Sequence, residues 1–94
     1  MNSDSLTLRE FQKHISERYE HADRARGTPA TFMWFVEEVG ELATALHGDD
    51  RANLREEFAD VLAWLCTLAN INGVDLTDAI QDKYFGPEPP TGTK

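Results

Sequence analysis

The chain has 94 residues, room for one small domain, and its 9 basic against 17 acidic side chains leave a formal net charge of −8. Such a field repels phosphate backbones and anionic bilayers, which excludes a nucleic-acid polymer or a membrane surface as the main partner. Hydrophobic residues at 40% and charged residues at 28% mark a globular chain rather than a disordered one, and no apolar run approaches the roughly 20 residues that cross a bilayer.

The N-terminal Met1-Asn2-Ser3-Asp4-Ser5 has neither the basic nor the apolar region of a signal peptide. The single cysteine, Cys66, excludes an intrachain disulfide framework and a multi-cysteine zinc site. The expected setting is a reducing cytoplasm. A first helix starts at Thr7, where Thr7-Leu8-Arg9-Glu10 forms a capping box. Leu8, Phe11, Ile15, Tyr19 and Ala22 follow at helical spacing as one apolar stripe, and Gly27 ends it. Thr28 as N-cap, with Pro29 in the first helical position, opens a second helix that runs to His47. Asp50 or Asn53 caps a third, which continues to about Asn72. A short fourth begins at Asp75-Leu76-Thr77-Asp78 and stops near Phe85, with Gly86-Pro87 behind it.

No stretch alternates with period two, so the fold class is all-α. Short connections favour an antiparallel, four-helix bundle-like domain over residues 1–86, followed by a flexible Pro-rich tail over 87–94. A chain this short makes a thin core, which homo-oligomerisation would complete.

Two helices carry the chemical signal. In the second, at about 100° per residue, Phe32, Phe35, Val36, Val39, Leu42, Ala43 and Leu46 form an apolar arc expected to face the core. Glu37 lies opposite. Glu38 and Glu41 share one flank, about 60° apart, with Trp34 and Ala45; a large aromatic there implies that this flank also faces something. In the third helix the arc is Leu54, Phe58, Val61, Leu62, Trp64, Leu65, Leu68 and Ile71. Glu56 points away from it, Asp60 sits at its edge, and Glu57 falls inside it. An ionised carboxylate directed inward costs several kcal/mol unless paired. A salt bridge to Arg51 or Arg55 is one way to pair Glu57, and a solvated face is the plain alternative for Glu38 and Glu41. The other use is ligation: pairs at i, i+3 lie about 4.5 Å apart along each axis, so two antiparallel helices can converge four carboxylates. An all-oxygen set selects Mg²⁺ or Mn²⁺ over zinc.

Glu37-Glu38-Val39-Gly40-Glu41-Leu42 and Glu56-Glu57-Phe58-Ala59-Asp60-Val61-Leu62 resemble the MazG-like nucleotide pyrophosphohydrolases of the all-α NTP pyrophosphatase superfamily. The signature is Glu-Glu-x-x-Glu, a spacer, then Glu-x-x-Asp, and the lead-in Arg26-Gly27-Thr28-Pro29 is similar as well; the resemblance spans about residues 24–85. It implies Mg²⁺-dependent cleavage of a nucleoside triphosphate, (d)NTP, to (d)NMP and pyrophosphate, and with it the house-cleaning of non-standard nucleotides. It implies metal ligands at Glu38, Glu41, Glu57 and Asp60, with Glu37 and Glu56 in outer-sphere or water-orienting roles. The homo-oligomer expected from the thin core is a dimer or a tetramer. The alternative is a non-catalytic helical domain that binds a divalent cation or a protein partner.

Two positions depart from the family pattern. Asn53 stands where many relatives carry a base, and the fourth helix offers only Lys83 where relatives carry several cations. Lys83 is therefore the expected phosphate contact, with Arg51, Arg55 or a second subunit as substitutes. Trp34 is a candidate to stack on a base, whereas Trp64 fits a helix interface better. His14, His21 and His47 share no ligand spacing, Cys66 is expected as a buried filler, and no glycine-rich phosphate loop is present.

Overall fold

The computed structural model describes residues 5–92 and contains four helices, α1 (Leu8–Arg26), α2 (Thr28–His47), α3 (Arg51–Ile71) and α4 (Leu76–Tyr84), with no strand among the described residues. The all-α expectation therefore stands. No helix among these residues is long and apolar enough to cross a membrane. The reading of Met1–Asp4 and the last two tail residues, Thr93 and Lys94, lies outside the described residues.

α1 begins at the capping box: Glu10 N donates to Thr7 Oγ1 at 3.1 Å and Thr7 N to Glu10 Oε1 at 3.1 Å. One residue, Gly27 at φ 85°, separates α1 from α2, a conformation that a side chain disfavours. The expected cap at Thr28 is displaced by one. Gly27 is the N-cap and no side chain caps the end, because the left-handed glycine completes the reversal and leaves Thr28 already helical. The Thr28 hydroxyl instead accepts from Asn72 Nδ2 at 3.2 Å. Asp50, not Asn53, caps α3, accepting from Asn53 N at 3.1 Å. Asp75 caps α4 by accepting from Asp78 N at 2.9 Å.

α3 is the central helix, with α2 along one side, α1 along another, and α4 packed on α1. The α2–α3 pair is antiparallel, since Thr28 meets Asn72 and Trp34 meets Trp64. Gln12 ties α1 to the α3–α4 turn: its Nε2 donates to Asn70 Oδ1 at 3.0 Å and to Val74 O at 2.8 Å, and its Oε1 accepts from Leu76 N at 2.9 Å. Arg9 reaches across to Asp75 and Asp78 at the start of α4.

The core is thin. Ile15, Ala45, Cys66 and Ala69 are its buried apolar residues, accompanied by buried Gln12, Asp23, Thr31 and Thr67; burial pushes the Cys66 thiol pKa up, as suits an inert filler. The apolar arc expected to face the core does not do so along most of α2. Phe32, Val36, Val39 and Leu46 are exposed, as are Phe58, Leu62 and Leu65 on α3. The reason is the neighbour count: α2 has one main partner, α3, and turns toward it the flank of Thr31, Trp34, Glu38 and Ala45.

Candidate metal centre

Residues seven apart on a helix point within about 20° of one another. Thr31, Glu38 and Ala45 form such a line on α2, and its two outer members are buried. Glu38 is thus carried into the α2–α3 interface by the residues one heptad to either side. On α3 the equivalent line is Glu57 and Trp64, with Trp64 stacked on Trp34 at 6.3 Å between ring centroids. The antiparallel register therefore sets Glu57 against Glu38, and one carboxylate oxygen each from Glu38, Glu41 and Glu57 lie within 4.8 Å of one another.

Among the described residues no cation is paired with this cluster. Glu38 Oε2 and Glu57 Oε2 are buried with no hydrogen-bond partner. Among the described residues the ion pairs of Arg9, Lys13, Arg24 and Arg26 go to other acids, and none reaches Glu57 from Arg51 or Arg55. Burial first, then a hydrogen-bonding contact with the Glu41 carboxylate and the charges of Glu41, Asp60 and Glu57, push the Glu38 pKa up to about 7. Burial likewise raises Glu57, with Glu41 and Asp60 adding to it. Buried acceptors without donors are costly in a folded protein, and crowded carboxylates disfavour their own ionisation. Both problems have one remedy, a hard cation, and the all-oxygen donor set fits one.

Asp60 stands outside the trio, although its charge is felt at both Glu38 and Glu57. Glu37 and Glu56 are exposed. Each lies one helical turn before another acid, Glu37 before Glu41 and Glu56 before Asp60, and the charge of Glu56 is felt at Glu57. Glu37 also borders a shallow depression with Ala30, Met33 and Trp34. Lys83 is not brought to the acids: α4 packs on α1, and Lys83 Nζ sits 5.5 Å from the Tyr84 ring centroid.

A third set of contacts was not apparent from the sequence, in which Arg26 figured only in the lead-in to α2 and Trp64 as a helix-interface residue. Arg26 Nη2 donates to Asp23 Oδ1 at 2.7 Å, its Nε donates to Thr31 Oγ1 at 2.9 Å, and its guanidinium lies 5.0 Å from the Trp64 ring centroid. The available signal was Asp23 at i and Arg26 at i+3 at a helix end, which in sequence is indistinguishable from a surface ion pair.

The family model of the MazG nucleotide pyrophosphohydrolase domain matches residues 26–84 of the chain. A curated relative, the dATP/dGTP diphosphohydrolase of Cyanophage S-2L, is 36% identical over 77 residues, which cover 82% of this chain and 70% of the relative.

Proposed function

The chain belongs to the MazG nucleotide pyrophosphohydrolase family and is a nucleotide pyrophosphohydrolase; from that premise we propose that it cleaves (d)NTP between the α- and β-phosphates to (d)NMP and pyrophosphate. The name of the S-2L relative points to purine deoxynucleotides as the substrate class, and clearance of non-standard nucleotides is the role we assign. The observation that carries the reading is the pair of buried, unpartnered oxygens on Glu38 and Glu57, with a Glu41 oxygen beside them.

Glu38, Glu41 and Glu57, joined by Asp60, would hold Mg²⁺, with Mn²⁺ as a substitute. Bound there, the ion supplies positive charge to the triphosphate oxygens and acidifies a water. Glu37 and Glu56, exposed one helical turn from Glu41 and Asp60, would accept hydrogen bonds from the attacking water, orient it and take its proton. The water oxygen bonds to phosphorus, the bridging P–O bond between the α- and β-phosphates breaks, and pyrophosphate leaves. Lys83 keeps the role of phosphate contact only if a second subunit brings α4 to the site.

The exposed apolar residues support a homo-oligomer, dimer or tetramer. In helical register Phe32, Val36, Val39 and Leu46 of α2 fall on the same side of the hairpin as Phe58, Leu62 and Leu65 of α3, away from Glu41 and Asp60. Their exposures reach 53% at Phe32, 58% at Leu46 and 54% at Phe58. A contiguous patch of this kind on a soluble monomer marks an interaction site.

The test is a panel of (d)NTPs with Mg²⁺, assayed for pyrophosphate against orthophosphate. Glu38→Gln and Glu57→Gln each lower kcat/KM by roughly 100-fold or more, beyond the loss typical of outer-shell changes. Orthophosphate as the product, or unimpaired release by Glu57→Gln, refutes the assignment. Tight Mg²⁺ binding without turnover of any nucleotide moves the chain to the non-catalytic cation-binding reading.

A further inference from the structure

For Glu38 to face Glu57, α2 and α3 must be held at one axial register, and the interface between them supplies little that would hold it. The buried residues of α2 are Thr31 and Ala45, so few apolar side chains interlock across the pair. At the level of the acids the contact is repulsive, with carboxylate oxygens of Glu38, Glu41 and Glu57 within 4.8 Å of one another. Like charges so close drive the helices apart or past each other. A slip of one residue displaces α2 by about 1.5 Å along α3. Metal ligands are placed to within about 0.2 Å, so a slip of that size dismantles the cage.

Arg26, the last residue of α1, touches both helices. Its Nη2 donates to Asp23 Oδ1 at 2.7 Å, and its Nε donates to Thr31 Oγ1 on α2 at 2.9 Å. The guanidinium also lies 5.0 Å from the centroid of the Trp64 ring on α3. Trp64 stacks in turn on Trp34 of α2, at 6.3 Å between centroids. Both hydrogen-bonded anchors are immobile, since Asp23 is 5% exposed and Thr31 is fully buried.

The level of these contacts decides what they control. Thr31 lies seven residues before Glu38 on α2, and Trp64 seven after Glu57 on α3, which in the antiparallel pair is displacement toward the same end. At 1.5 Å per residue this is about 10 Å from the carboxylates, and residues a heptad apart share a helix face to within about 20°. Whatever fixes Thr31 against Trp64 therefore fixes Glu38 against Glu57, in height and in rotation. Apolar contact is non-directional, whereas a guanidinium is a planar fork that accepts few arrangements of its partners. As a source of stability the Asp23–Arg26 pair is poor. Asp23 Oδ2 is buried with no hydrogen-bond partner, and a buried ion pair adds little net free energy. Fixing register is the best-attested use of such a group.

We propose that Arg26 is a positioning residue, the pin that sets the register of α2 on α3 and so holds the Glu38, Glu41 and Glu57 carboxylates in convergence. Asp23 acts through it by orienting the guanidinium, and Thr31 is the point at which α2 is held. The consequence for cation affinity rests on the metal reading above; the register itself belongs to the metal-free chain.

The experiment titrates the full chain with Mn²⁺, read by loss of the free-ion EPR signal, and records the exciton-coupled circular dichroism of the Trp34–Trp64 pair without metal. Arg26→Gln weakens Mn²⁺ binding by roughly 10-fold or more, the range of changes made outside the ligand shell, and diminishes the indole couplet. Thr31→Val keeps the shape of the buried side chain, loses only the hydroxyl, and moves both readouts in the same direction. Arg26→Lys keeps the charge, loses the fork and rescues neither. Gln12→Leu is the control for general loosening: it weakens the α1–α4 end of the molecule and leaves Mn²⁺ affinity and couplet as in the parent. Parent-like values of both in Arg26→Gln and Thr31→Val overturn the proposal. So does recovery in Arg26→Lys, which makes Arg26 a source of charge rather than of geometry, and so does an equal loss in Gln12→Leu, which reduces its role to ordinary stability. A parent chain that binds no Mn²⁺ defeats the metal reading. In that case a couplet lost in the Arg26 and Thr31 variants and kept in Gln12→Leu leaves the pin standing, and a couplet unchanged in all of them removes it.

Discussion

Without metal, this protein should lose stability as pH rises from 5 to 8, against the usual direction for a chain held by ionised carboxylates. The perturbing group is Glu38, whose pKa stands at about 7 against an ordinary 4.5 because its carboxyl is buried beside three other acids. The folded state therefore binds more protons than the unfolded one between those two values. Stability is then full below the unfolded pKa and lost as pH climbs through the folded one. The whole displacement corresponds to about 3 kcal/mol at 1.36 kcal/mol per unit; partial exposure and solvent screening reduce this to roughly 1–2 kcal/mol. In a domain of this size that is a fall in Tm of roughly 5–15 °C. The assay is calorimetric melting in EDTA at pH 5 and pH 8 at fixed protein concentration, repeated in millimolar Mg²⁺. Mg²⁺ restores Tm at pH 8 and does little at pH 5, where protons compete for the same oxygens. Glu38→Gln flattens the EDTA profile and melts higher than the parent at pH 8 without metal. A flat parent profile in EDTA, or a Glu38→Gln protein less stable than the parent under those conditions, refutes the claim that these acids repel one another.

Three further outcomes follow from the packing. Val36→Asp places a charge in the exposed apolar face of α2 and shifts the elution of the protein toward monomer in size-exclusion chromatography with light scattering; an unmoved peak refutes that face as the oligomer contact. Gln12→Leu strands the Leu76 N–H and the Asn70 amide that Gln12 now satisfies, at a cost of roughly 2–3 kcal/mol in urea unfolding, with α4 amides the first to lose hydrogen-exchange protection. Gly27→Ala puts a Cβ on a residue at φ 85° and destabilises by about 1–2 kcal/mol, so a neutral result would show that the α1–α2 reversal relaxes.

The helices were legible because their ends are written in local chemistry. Thr7 with Glu10, Asp50 and Asp75 act through side chains within three residues: Thr7 caps as read, Asp50 is the one of two candidates that caps α3, and Asp75 caps the helix that its segment was expected to open. Thr28 was misplaced by one position because a left-handed glycine competes with a hydroxyl cap, and nothing in the spacing says which one prevails. The acid cluster was legible for a different reason: Glu57 contradicted the apolar arc around it, and only a partner across the interface resolves such a conflict. Arg26 was not legible, since its partner Thr31 lies on the next helix and the contact depends on how sharply Gly27 turns the chain.

The direction in which α2 faces was also beyond the sequence, and it explains the other observations together. An amphipathic helix normally buries its apolar face, yet here α2 turns Glu38 toward α3 and leaves Phe32, Val36 and Leu46 outside. An isolated chain so arranged forgoes apolar burial and crowds carboxylates at once, two deficits against the roughly 5–15 kcal/mol that hold a typical domain. The deficits are of different kinds and need different remedies. Apolar surface is satisfied only by more apolar surface, a second chain, whereas buried carboxylate oxygens are satisfied by a cation. The same rotation of α2 that opens the face for one prepares the cage for the other. A rotation that buried Val36 and Val39 against α3 would strengthen the monomer and carry Glu38 out of reach of Glu57. On the oligomer and metal site proposed above, the thin core is the consequence of placing the acids between the helices, and the expected outcome is a stability that depends on protein concentration and on divalent metal as two separable terms. Melting temperatures measured across both variables should show independent contributions from each, with Val36→Asp removing the first and Glu57→Gln the second.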